Sequence, residues 1–383
     1  MTAVAAKPNT VSPIWVTTPP FLKFNCTPAG RKADKHTVVG QQLMKLTYRC
    51  GNLLIAALLM GVLCATMYSG GDALLSPAQA QDSAQTWPLK PIHAIVPFTP
   101  GSATDIVART VFEPLSRELG QSIIVENRPG AGGMLGAGMV AKADPDGYSF
   151  LVSSSSHTII PALYPRVPYD TVQDFTGVIP LGNLPNVLVV APSKGFHTLN
   201  DLVAAAKASP GMMTYASAGV GSATHFAVER FRLSAGLDGV HVPFRGSPEA
   251  ATEVMTGRVD FFFGPLATVL PFIRDGKLAA LAVSTPKRSA ALPDVPTTLE
   301  AGFANSDYTF WVAMFARAKT PAPIVEKLHD AIRKTLASAG LQDKLADIGV
   351  DPMDMEPADL DSLVRTEIAI NTPLVKAAHI QAN

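Results

Sequence analysis

Gly101-Ser102-Ala103-Thr104 recurs as Gly221-Ser222-Ala223-Thr224, 120 residues further on, and each copy lies between a β-type run and a helical stretch. Small residues at such a junction permit one kind of chemistry. The first N–H groups of a helix have no partner within it and carry partial positive charge. Gly and Ser let an anion come close to that backbone, so a carboxylate or phosphate is held without Lys or Arg. The segments PFTPGS at 97–102, NRPGAGG at 127–133 and SAGVGS at 217–222 all offer this, and SSSSH at 153–157 adds hydroxyls.

The titratable residues near these segments each have two readings. Asp105 stands three residues after Ser102, the spacing of a capping box, and a carboxylate facing an anion would repel it. The alternative makes it a member of the site. Ser222 caps a helix, and a cap hydroxyl also lines a pocket. His225 is a packed histidine or a ligand contact, and His157 after four serines points more strongly to contact. Arg128 pairs with a ligand carboxylate or fixes its own loop, whereas Phe98, Phe244 and Trp311 wall the pocket or fill the core. Enzyme signatures are absent: there is no P-loop, no His-Glu-x-x-His and no Gly-x-Ser-x-Gly. The histidines are scattered without metal-ligand spacing, so neither a metal nor a cofactor is expected.

The elements that must position these residues alternate. Strands are expected at 92–98, 122–126, 149–153, 187–191, 213–217, 239–244, 259–263, 278–284 and 308–315, with helices such as 103–119, 199–208, 222–235 and 248–257 between them. Val107, Val111, Leu115 and Leu119 form one buried stripe at helical spacing, interrupted by a kinking Pro114. Thr198 and Asp201 make a capping-box pair, and the chain from Pro321 onward reads as helical. Alternation of this kind implies an α/β fold, with mainly parallel sheets between helical layers and ligands at the carboxyl edge.

The chain of 383 residues is 47% apolar and 16% charged, which excludes a disordered polymer. Residues 1–80 carry seven Lys/Arg against two Asp/Glu, and the remainder 24 against 29, so nucleic acid is not an expected partner. Cys26, Cys50 and Cys64 are all early, which removes disulfides and thiolate chemistry from the main body and suits an oxidising compartment. The apolar run 53–68, preceded by Lys45 and Arg49 and followed by Ala78-Gln79-Ala80, reads as an export signal cleaved near Ala80. It is short for a membrane span. The residues before Met44 are an odd prefix to such a signal, either upstream of the true start or a disordered extension.

Several ordered blocks resemble the substrate-binding proteins of tripartite tricarboxylate transporters, the Bug receptors. They include Trp87-Pro88-x-Lys90-Pro91, Val96-Pro97-Phe98-x-Pro100-Gly101, 125–133 (VENRPGAGG), 217–222 (SAGVGS), His241-Val242-Pro243-Phe244 and Asp294-Val295-Pro296-Thr297. The resemblance implies a two-lobed Venus-flytrap (type II-like) periplasmic binding protein with two hinge-crossing strands near 185–191 and 308–315. One lobe would comprise 87–188 and 309–383, the other 189–308. It further implies a monomer, not an enzyme, that captures a small organic carboxylate by hinge closure and hands it to membrane permease subunits. A sensory protein or an enzyme on the same bilobal plan is the alternative. Carried onto this chain, the ligand contacts are Phe98, Pro100, Gly101, Ser102, Ser217, Gly219, Gly221 and Ser222, joined by Asp105, Ser156, His157, Phe244, Gly246 and Asp260. Where the family usually has Gly-Gly, this chain has Gly101-Ser102, and the added hydroxyl narrows the loop.

Overall fold

Nine strands carry the fold in the computed structural model, which describes residues 86–378 and 380; the expected leader, 1–80, lies outside them. β1 (Ile92–Val96), β2 (Ile123–Asn127) and β3 (Ser149–Ser154) pair in parallel, with β1 in the middle. Beside β3 runs β9 (Thr309–Arg317), antiparallel, and beside β9 the sixteen-residue β4 (Phe175–Val190). On the far side β5 (Thr214–Ser217) lies parallel to both β6 (Val240–Pro243) and β7 (Phe261–Pro265). β8 (Ala279–Val283) pairs antiparallel with β4. The order is therefore β2-β1-β3-β9-β4-β7-β5-β6 with β8 also on β4. The sheet is mixed, not mainly parallel, because every pairing of β4 and β9 is antiparallel.

β4 belongs to both halves. Its residues up to Pro185 pair with β9, and from Asn186 they pair with β7 and β8. The second crossing follows β8, where the Ser284 N–H donates to the Asn186 carbonyl at 2.8 Å and the Tyr308 N–H donates to the Ser284 carbonyl at 2.7 Å. Ser284 thus ties the two crossing strands together. Only the second part of β4 was expected from sequence. Its first part contains Gly177, Pro180 and Gly182, and the register slips at both places to accommodate them.

Helices cover both faces: α1 (Ala103–Leu119), α2 (Met134–Ala141), α3 (Ser156–Leu163), α4 (Leu199–Ala208), α5 (Ala223–Ala235), α6 (Ser247–Met255) and α7 (Leu266–Arg274). α8 (Ala322–Leu336), α9 (Ala339–Asp347) and α10 (Pro357–Ala377) supply the expected helical end. Helix α1 runs unbroken through Pro114 and buries Val107, Val111 and Leu115 completely against the sheet. At roughly 1.5–3 kcal/mol per buried side chain, that stripe alone fixes the orientation of its N-terminus. Thr198 and Asp201 form the capping box their spacing implies. Among the described residues no helix is long and apolar enough to cross a membrane.

Candidate functional site: two opposed turns on one cavity

Each copy of the repeated tetrapeptide makes the same turn. Gly101 and Gly221 adopt φ of +78° and +79°, values an L side chain rarely takes. Ser102 (φ −67°, ψ 156°) then caps α1 and Ser222 (φ −71°, ψ 157°) caps α5. The cap hydroxyls accept from the Asp105 N–H at 3.4 Å and the His225 N–H at 3.3 Å. Both turns close identically, Ser102 N–H to the Thr99 carbonyl and Ser222 N–H to the Gly219 carbonyl, each at 3.1 Å.

The glycine amides are turned inward. Gly101 N–H donates to Asp105 Oδ2 at 2.9 Å, and Gly221 N–H donates to His225 Nδ1 at 3.4 Å. The N–H groups of Ala103, Thr104, Ala223 and Thr224 have no acceptor among the described residues. These four, not the glycines, are the donors left for an anion. All four residues line one cavity together with Ser102 and Ser222. Its floor is Ser154 from the end of β3, Pro265 from the end of β7 and Phe310 from β9, and Ser247 at the start of α6 closes one side. Its open space of about 10 Å³ admits roughly one water molecule.

An outer groove of about 390 Å³ continues from this cavity past Phe98 and Ala218, between Gly130–Gly133 on one side and Ala218–Val220 on the other. Tyr164, Phe244 and Arg245 border it. The walls touch: a Cβ on Gly132 would stand 2.6 Å from the Val220 carbonyl oxygen, and the Tyr164 hydroxyl donates to that same oxygen at 3.3 Å. A larger apolar hollow, about 500 Å³, lies between β4, α8 and α9. Asp343, Asp351 and Asp354 outnumber Arg333 there, and an anion is repelled.

Of the residues expected from sequence, Phe98, Ser102 and Ser222 line the inner cavity, and Phe98, Gly219 and Phe244 line the groove. Gly101 and Gly246 sit on the seam: a Cβ on Gly101 would meet Pro248 at 3.5 Å, and one on Gly246 would run into Thr99. Gly221 abuts Leu163 and Tyr164, and Pro100 is exposed beside the turn. Ser217 lies beneath its turn, with Oγ 2.6 Å from His241 Nε2 and accepting the Gly219 N–H at 3.1 Å.

Four expected contacts stand elsewhere. Asp105 is buried and its oxygens are taken by Gly101 N–H, Arg109 Nε at 3.0 Å and Asn127 Nδ2 at 2.9 Å, so it anchors the turn. His157 packs against Phe175 and Phe315 with neither ring nitrogen hydrogen-bonded, and burial pushes its pKa down to about 3. Ser156 is buried, 3.0 Å from the Ser154 hydroxyl, and it is Ser154 that reaches the cavity. Asp260 precedes β7, at the opposite end of the strand from Pro265. Burial works to raise its pKa, yet Lys194 at 2.6 Å and the Thr214 N–H and hydroxyl, both at 2.8 Å, hold it down.

Trp311 donates from Nε1 to Glu367 in the core; its neighbour Phe310, on the other face of β9, meets the cavity. Arg128 is engaged with Glu126 at 2.7 Å. Sequence reasoning missed Tyr164, Arg245, Ser247, Pro265 and Phe310; Ser154 lay within the 153–157 segment expected to add hydroxyls. Thr104 and Thr224 were signalled by the repeat itself.

Residues 107–380 match the family described as the tripartite tricarboxylate transporter family receptor. The chain belongs to that family. BugT of Bordetella pertussis (strain Tohama I) is 36% identical over 288 residues, 75% of this chain and 88% of that one. Among solved structures, R. palustris Rpa4515 with adipate is similar at a TM-score of 0.75 and 33% identity, over 77% of this chain and 99% of that one. MatC (Rpa3494) from Rhodopseudomonas palustris with bound malate is similar at a TM-score of 0.72 and 32% identity, over 76% and 100%. The receptor's α/β architecture is the two-lobed one of periplasmic binding proteins.

Proposed function

We propose that this receptor closes on a small organic carboxylate, one carboxyl group lying between the N-termini of α1 and α5. The observation that carries this is that four residues with unengaged amides, two from each half and each in the first turn of its helix, line one cavity. Asp105, the carboxylate behind the first turn, is paired with the Arg109 guanidinium and accepts a hydrogen bond from Asn127, which weakens its repulsion of an anion. Four hydrogen bonds to a charged group, at about 1.5–3 kcal/mol each, match the roughly 8 kcal/mol of a micromolar complex before the costs of closure. The adipate and malate in two relatives' structures support the same ligand class.

Closure swings residues 189–308 against 87–188 and 309–383 about Asn186, Ser284 and Tyr308, and the ligand favours the closed form because only there does it touch both turns. The closed monomer then docks on the permease subunits of the transporter. The chain works without a covalent step: of its acid–base candidates, His157 is enclosed by Phe175 and Phe315 and Asp105 is tied to Gly101, Arg109 and Asn127. The export signal is cut near Ala80, releasing the protein to the periplasm.

A thermal-shift and calorimetry panel of mono-, di- and tricarboxylates tests this. A true ligand at about 100 times its Kd adds roughly 2.7 kcal/mol of stability. A panel in which no carboxylate stabilises the protein, or in which one is turned over, contradicts the reading. Mass spectrometry of the periplasmic protein checks the cleavage site.

A further inference from the structure

Beneath the second turn three rings are stacked. His225 and His241 lie 3.8 Å apart at 7°, and Tyr215 continues the stack 5.1 Å from His241 at 14°. Each imidazole holds one end of the turn. His225 Nδ1 accepts the Gly221 N–H, and His241 Nε2 pairs with Ser217 Oγ, which accepts the Gly219 N–H. The charges facing the pair come from α5 and the segment after it. Glu229 lies 3.7 Å from His225 Nε2, Arg232 holds Glu229 at 2.9 Å, and Asp238 pairs with Arg232 at 3.2 Å. The Tyr215 hydroxyl also donates to Glu229.

In the first half the corresponding acceptor is Asp105, with Arg109 one helical turn on. Turn geometry therefore does not demand a histidine. A neutral acceptor has a different consequence: it supports the amide without bringing a carboxylate into contact with it, and keeps the Arg232-paired Glu229 one ring further from the anion. Its proton-free Nδ1 must also persist, since two imidazolium rings at van der Waals contact repel strongly.

We propose that His225, as a neutral imidazole braced by His241, is the positioning residue of the second anion turn: it keeps the Gly221 N–H inward, so that the amides of Ala223 and Thr224 face the cavity, and protonation of the stacked pair releases the turn. Its bearing on affinity rests on the carboxylate reading above; its bearing on the turn does not. Burial, then His241 and Arg232, hold the His225 pKa well below the usual histidine range, and burial with Arg232 pushes His241 down to about 4. Both rings are therefore neutral at ordinary pH and titrate only in acid.

Two measurements on the 15N-labelled protein test the proposal. Without ligand, imidazole 15N spectra at about pH 7.5 should show His225 protonated on Nε2 and no titration in the usual histidine range, and the Gly221 amide should lose at least about tenfold of its exchange protection in His225→Leu. A proton on Nδ1, titration near the usual 6.5, or equal Gly221 protection in both proteins overturns it. With adipate as the calorimetric probe, His225→Asn, an uncharged acceptor, should bind within about threefold of the original, while His225→Leu weakens binding at least about tenfold. Equal weakening by the two overturns it. If adipate and every other carboxylate fail to bind the unaltered protein, the carboxylate reading falls, and the spectra still decide the role of His225.

Discussion

The turns at 101–104 and 221–224 share sequence, dihedral angles and hydrogen-bond closure, yet their supports carry opposite chemistry. Behind Gly101 stands a carboxylate with an arginine one turn further on; behind Gly221 stands a neutral histidine with a glutamate one turn further on. Backbone geometry at a helix N-terminus is thus separable from the charge that supports it. The site keeps two copies of the donor pair, but only at the first does a carboxylate touch the glycine amide; at the second a neutral ring stands between the amide and the buried Glu229. The surroundings differ too. The first turn faces a proline ring at ordinary contact distance, whereas the second is pressed by Leu163 and Tyr164 of the other half.

Substituting the two glycines breaks the comparison most forcefully. Both Gly101→Ala and Gly221→Ala carry the strain of positive φ, about 1–2 kcal/mol. Only at 221 does the new methyl meet Leu163 at 2.8 Å and Tyr164 at 3.2 Å across the seam. Carboxylate affinity should fall about 100-fold or more for Gly221→Ala and roughly tenfold for Gly101→Ala by calorimetry. Equal losses would mean that the halves do not close as described.

Acid should separate the core histidine from those under the second turn. His157 and His241 have folded pKa values of about 3 and about 4, below the usual value, so each contributes stability that is present above about pH 6.5 and is lost as pH falls toward 4. Urea unfolding at pH about 7 and 4.5 should show a loss of roughly 2–3 kcal/mol per buried histidine. His157→Leu should remove its share of that loss and leave ligand affinity unchanged, because its ring nitrogens have no hydrogen-bond partner. A fall in affinity would return His157 to the site.

Asp105→Ala should lower stability by about 2 kcal/mol, since it leaves the Gly101 amide without its acceptor and Asn127 Nδ2 with the Phe98 carbonyl alone, while the half-exposed Arg109 recovers water. Asp260→Asn should leave affinity within about twofold, because Asp260 serves Lys194 and Thr214 at the remote end of its strand. Affinity that dropped with Asp260 and not with Asp105 would reverse the placement of the two acids.

The repeat, the strands other than the first part of β4, and the two turns were legible because each rests on local rules: hydrophobic period, glycine at positive φ, serine at a cap. What could not be read depended on distant partners. His157 follows four serines, a polar setting in sequence, but Phe175 and Phe315 enclose it from strands far along the chain. Asp260 finds Thr214 and Lys194 only through strand pairing. Phe310 replaced Trp311 at the cavity because one residue of register reverses the face of a strand, and no periodicity within 308–315 fixes which face is inward. The inward rotation of the glycine amides was likewise hidden, since it needs the Asp105 and His225 side chains folded back onto the turn.

Following backbone amide shifts during an adipate titration tests the four-donor grip most directly. The amides of Ala103, Thr104, Ala223 and Thr224 should move together and saturate at one concentration. Saturable binding that shifts only one turn, or that shifts the hollow between β4 and α9 instead, would contradict a carboxylate held between the two halves.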